Sequence, residues 1–97
     1  MIDFHKMTAK SFEPIVGTQA TIISLDAEVR VELLEVKQLG SGEREGGAFS
    51  LLWQGPTAPA LPQATYRIAH ELIGEQDVFL VPVANKTAGI QYEAIFT

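Results

Sequence analysis

The chain has 97 residues, no cysteine and a formal net charge of −5, with 46% apolar and 20% charged residues. One core is what that length supports, and the lack of cysteine excludes disulfides and thiolate chemistry. The seven Lys and Arg residues are scattered, whereas nucleic acid and anionic membrane surfaces both need clustered bases, so neither is expected as a partner.

No apolar run approaches the roughly 20 residues of a membrane-spanning helix. The opening MIDFHKMTAK (1–10) lacks the apolar stretch of a secretory signal. Cytoplasmic residence is therefore expected, with assembly into a larger particle compatible with it. The acids are spread along the chain: residues 26–37 hold four acids against two bases, and 71–77 hold three acids and no base. Neither run is long enough to be an acidic tail.

In chain order, TAKSFE (8–13) predicts a short helix capped by Thr8, with Phe12 turned to the core. Ser11 stands where a capping box wants Glu or Gln, so no box is expected. Pro14 and Gly17 end the helix. QATIISL (19–25) is rich in β-branched residues and predicts a first strand. A tight reversal at Asp26 and Ala27 leads into EVRVELLEVKQL (28–39). There Val29, Val31 and Leu33 share one face, but Leu34 and Val36 fall on the other parity. Such a phase change marks a β-bulge, the alternative being a strand covered on both faces. GSGEREGG (40–47) is a polar hairpin loop.

AFSLLWQ (48–54) points Phe49, Leu51 and Trp53 inward and leaves Leu52 outside. The proline-dense GPTAPALPQ (55–63) cannot be a central strand and crosses the surface, pinned by Leu61. ATYRIAHEL (64–72) puts Tyr66, Ile68, His70 and Leu72 on its inner face. QDVFLVPVA (76–84) is continuously apolar, as expected of a strand covered on both faces, and Pro82 within it demands an edge or a bulge. IQYEAIFT (90–97) alternates again. The fold class expected is all-β: one domain over 1–97, a six-stranded antiparallel barrel or roll of meander type, with the helix plugging one open end.

Few residues suggest chemistry. His70, with Glu71, Glu75 and Asp77 nearby in sequence, offers a general base or metal ligand. Adjacent His70 and Glu71 point to opposite faces of a strand, however, and no metal-ligand spacing is present. A hydrogen-bonded structural histidine is the plainer expectation. His5, beside Asp3 and Lys6, is expected to be solvated. The glycines of 40–47 lack the following helix that phosphate-binding loops use, and no serine sits in a G-x-S-x-G elbow. Asn85-Lys86-Thr87 matches a glycosylation acceptor but reads as a turn. Phe49, Trp53, Tyr66, Phe79, Tyr92 and Phe96 are expected to fill the core, since six strands enclose little room for a ligand as well. Leu52 and Ile95 are apolar on otherwise polar faces and mark a candidate contact patch.

The strings FSLLWQGP (49–56), LPQATYRIAH (61–70), DVFLVPV (77–83) and YEAIF (92–96), and more loosely FEPIVGT (12–18), resemble a bacterial family of small β proteins of unknown function. The resemblance implies a single domain, a setting among phage-tail-like genes and no known catalytic residues. Ala64 stands where that family commonly has glycine, which puts a positive φ at this position in doubt.

The leading functional expectation is a non-enzymatic structural or protein-interaction module linked to a phage-tail-like assembly, with no catalytic, cofactor or metal residues. Its contact surface would involve Leu52, Ile95 and Pro82, and its partner would be another protein or a second copy joined through strand edges. The alternatives are a small-ligand-binding barrel using Trp53, Tyr66, His70 and Tyr92, and an enzyme using His70. No cofactor is expected for any of these.

Overall fold

The computed structural model describes residues 8–24, 28–40, 47–72 and 74–96. A short helix α1 (Ala9–Phe12) runs into a 3-10 turn (Glu13–Ile15), followed by six strands: β1 (Gln19–Ile23), β2 (Glu28–Gly40), β3 (Ala48–Gln54), β4 (Ala64–His70), β5 (Gly74–Lys86) and β6 (Gly89–Phe96). All six pair antiparallel and close into a ring in the order β1-β2-β3-β6-β5-β4. The expected all-β class, strand number and N-terminal helix are thus present. The meander order holds within each half, β1 to β3 and β4 to β6. The halves then join through β3–β6 and β1–β4, so β4 returns beside β1 as in a Greek key.

The alternating residues face inward as their parity predicts. Val29, Val31 and Leu33, then Phe49, Leu51 and Trp53, then Tyr92, Ala94 and Phe96 are all buried. The phase change in β2 is a bulge: Leu33 pairs with Trp53 and Glu35 with Leu52, leaving Leu34 as the extra residue. Val36 is thereby brought back against the core. The β5–β6 register also shifts between Pro82 and Ala84, so the strand accommodates Pro82 at a bulge. Moreover, β4 pairs with β5 only as far as Leu80, which leaves Val81–Lys86 without a β4 neighbour.

α1 lies at the end of the ring where Phe49 and Phe96 meet. Phe12 is fully buried there, its ring 5.6 Å from Phe49 and 6.1 Å from Phe96, while Phe49 and Phe96 stack at 4.8 Å. Ala9 and Ile15 join the same core, so the helix closes this end as expected. A serine completes the cap after all: the Thr8 amide donates to Ser11 Oγ at 3.2 Å, doing what a Glu or Gln side chain does in a capping box.

The connection 55–63 contains a cis Ala58–Pro59 bond and is held by Leu61, which is buried and donates its amide to Tyr92 Oη at 3.0 Å. Gly55 donates to the Ile90 carbonyl and Ile90 to the Pro56 carbonyl, at 2.8 and 3.2 Å. This close approach requires glycine at 89: its φ is +135°, and a Cβ would sit against the Gly55 carbonyl and Pro56.

Three expectations are corrected. Leu72 is 66% exposed because β4 ends at His70, which pairs with Gly74, so that Leu72 lies in the turn after the strand. The apolar run of β5 is covered on one face only: Val78 and Leu80 are buried, whereas Phe79 and Val83 are exposed. Phe79 therefore leaves the core list. The last strand is not an edge, since β6 pairs with β3 on one side and β5 on the other. The proposed reversal at Asp26 and Ala27, the loop tip 41–46, His5, Leu25 and Thr97 lie outside the described residues.

Candidate functional site

The four residues grouped as a ligand pocket do not converge. Trp53 and Tyr92 are fully buried in the core. The Tyr92 hydroxyl is used by Leu61, and the Trp53 indole N–H has no hydrogen-bond partner among the described residues. Tyr66 donates to the Pro62 carbonyl at 2.6 Å. Burial pushes its phenol pKa up, with a smaller contribution from Tyr92. It lines a solvent-open groove of about 660 Å³ with Ile23, Ser24, Leu61, Pro62, Ala64, Thr65 and Arg67. His70 lines a different depression of about 480 Å³, between β1, β4 and the turn after β4. Both reach the volume of small-molecule sites, but each takes only one of the four residues.

His70 is held on both ring nitrogens. Nδ1 accepts the Leu72 amide at 3.0 Å, and Nε2 lies 2.7 Å from Thr18 Oγ1, which itself donates to the Ile15 carbonyl at 2.6 Å. An imidazole whose Nδ1 accepts and which is neutral must carry its proton on Nε2. The chain of donation is then His70 Nε2–H to Thr18 to Ile15. Burial lowers the pKa of His70, partly offset by Glu71. With its lone pair occupied by an amide, the ring has no free base to present. The carboxylates once grouped with it are elsewhere: Glu75 and Asp77 flank Arg67 on the outer face at 3.6 and 3.3 Å, exposed pairs of small energetic consequence. Among the described residues no three His, Asp or Glu side chains are grouped to hold a metal.

Leu52 and Ile95 lie on the same outer face of β3 and β6, whereas Pro82 pairs with the inward-facing Tyr92. Leu52 pairs with Glu93 and Ser50 with Ile95 across β3–β6, and Val81 pairs with Glu93 across β5–β6. Leu52, Glu93 and Val81 thus form one row on the outer face, with Glu35 beyond Leu52. Ile95 stands two residues along β6, past the last β5–β6 pair, and Phe79 of β5 is paired with Thr65 of β4. Ile95 is 54% and Phe79 50% exposed, whereas Leu52 is half-buried. Pro82 is exposed at the bulge just past Val81. Ile95 and Phe79 are thus more exposed than Leu52. Phe79 was missed because an unbroken apolar run gives no parity from which to pick the outward side chain.

No helix among the described residues is long and apolar enough to cross a membrane. No curated protein and no solved structure matches the chain. A family model described as a domain of unknown function, DUF6916, matches residues 7–96, and the chain belongs to that family.

Proposed function

We propose that the protein is a non-enzymatic structural and protein-interaction module whose contact surface is the outer face of β3, β6 and β5. The observation that carries this reading is the exposure of Ile95 on β6 and Phe79 on β5, two large apolar side chains at least half exposed. Exposed apolar side chains grouped on one rigid face, rather than scattered singly, are what protein contacts use.

The charges on the face favour a particular partner. Glu93 sits between Leu52 and Val81, and Glu35 lies next along the row, with Lys37 in the neighbouring row. Two copies meeting symmetrically here would bring four carboxylates together against two lysines, on chains that each carry −5. A different protein with an apolar face and basic groups opposite Glu93 fits better. The sequence resemblance supports a phage-tail-like particle as the setting, with the ring as one of its building blocks.

The test is cosedimentation of the chain with the particle assembled in its own cells. Ile95→Lys should shift the chain to the unassembled fraction by about tenfold or more, the effect of losing an interface anchor, while its unfolding midpoint stays unchanged. Undiminished cosedimentation of a folded Ile95→Lys chain would remove this face as the contact.

A further inference from the structure

The hydrogen bonds of His70 join two parts of the chain that are distant in sequence. Through Nε2 the ring reaches Thr18 and, beyond it, Ile15 at the end of the N-terminal turn; through Nδ1 it holds the amide of Leu72 in the β4–β5 turn. His70 is only 5% exposed, yet it borders the depression of about 480 Å³, so a proton can reach it without the core opening.

We propose that His70 is an acid-sensitive clasp: neutral, with its proton on Nε2, it fastens the N-terminal turn to the β4–β5 turn, and protonation of Nδ1 releases the β4–β5 turn. The asymmetry follows from the donors. The added proton makes Nδ1 a donor facing another donor, the Leu72 N–H, so that bond is lost. The bond from Nε2 to Thr18 is kept, and the N-terminal side stays closed.

The groups around the ring set the direction of the response. Glu71, on the turn itself, favours the protonated ring. Arg30 of β2 is the other charged group lining the same depression. Thr18 just before β1, Gln19 at its start and Gly74 of β5 opposite His70 complete the surroundings, and none of them titrates. Burial outweighs Glu71 and holds the folded pKa below the ordinary imidazole value. The unfolded chain therefore binds the proton first. Stability should be full above about pH 6.5 and fall as the pH drops from there toward the lower, folded pKa. The turn that opens carries Leu72, the most exposed large apolar side chain among the described residues, so acid would loosen the backbone that holds it at this end of β4.

Nitrogen-15 spectra of the imidazole and Leu72 amide-exchange protection, followed from about pH 7 to pH 4.5, test the proposal on the intact chain. Expected are an Nε2–H tautomer at neutral pH and a Leu72 protection factor that falls about tenfold, roughly the worth of one hydrogen bond, in step with His70 protonation. Protection at Trp53 in the core should fall only by the loss of global stability, with no added step of its own. In His70→Asn, which keeps an acceptor near the Nδ1 position but does not titrate, the step should vanish. An Nδ1–H tautomer, a Leu72 amide indifferent to His70 protonation, or a step that persists in His70→Asn overturns the clasp. If His70→Asn does not fold, the wild-type tautomer and exchange data decide alone.

Discussion

Phe12 and Phe79 show how the same side chain takes opposite roles here. Phe12 is fully buried and packed against Phe49 and Phe96, so truncating it opens a cavity and unseats α1 from the end of the ring. Phe12→Ala should cost about 3–5 kcal/mol, read as a lower midpoint in urea unfolding. Phe79→Ala, on the outer face, should stay within about 0.5 kcal/mol of wild type. A large loss from Phe79→Ala would mean that this residue is packed in solution and is no contact anchor. His70 belongs at this scale too. Its inward parity was legible in the alternation of β4, but its hydrogen bond to Thr18, 52 positions away, depends on β1 meeting β4, which no local pattern encodes.

Among the elements, β2 is the one whose irregularity is most informative. The bulge at Leu34 changes which parity faces inward, so Leu33 and Val36 both reach the core. Deleting Leu34 would leave Leu33 opposite Trp53 and Glu35 opposite Leu52 in a regular ladder. The chain should still fold, with altered twist and modest loss of stability. Deleting Arg30 instead would put residues before and after the gap on conflicting faces and should abolish cooperative unfolding. Circular dichroism with thermal melting compares the two, and equal damage from both deletions would contradict the bulge.

That bulge was visible in advance because alternation has a period of two and a slip leaves a mark. The strand boundaries were legible for the same reason, to within two residues at each end. Strand order was not. Alternation says that a face is buried but not which strand lies beside it, so the β3–β6 and β1–β4 pairings that close the ring came only with the structure. The exposure of the outer face is half legible: Ile95 breaks a polar row and so stands out, whereas Phe79 sits inside an apolar run that hides which side it faces.

At the scale of the whole molecule, closure of the ring leaves little for strand-edge association. β6 is paired on both sides, and the unpaired side of β5 beyond Leu80 is blunted by Pro82, a bulge and Lys86, devices that discourage pairing with another chain. The proposed contact is the outer face, where exposed apolar side chains stand near a carboxylate. Because that contact would join Glu93 and Glu35 to basic groups, it should weaken as salt rises, whereas self-association of chains each carrying −5 would strengthen.

The most direct measurement is a position-resolved photo-crosslinking map in the producing cells, with the reactive group placed in turn at 95, 79, 67 and 21. The ring as an interaction module predicts adducts to one partner protein from positions 95 and 79, lost on raising the salt, and none from 67 or 21. Adducts from all four positions alike, or from 67 and 21 only, would contradict it.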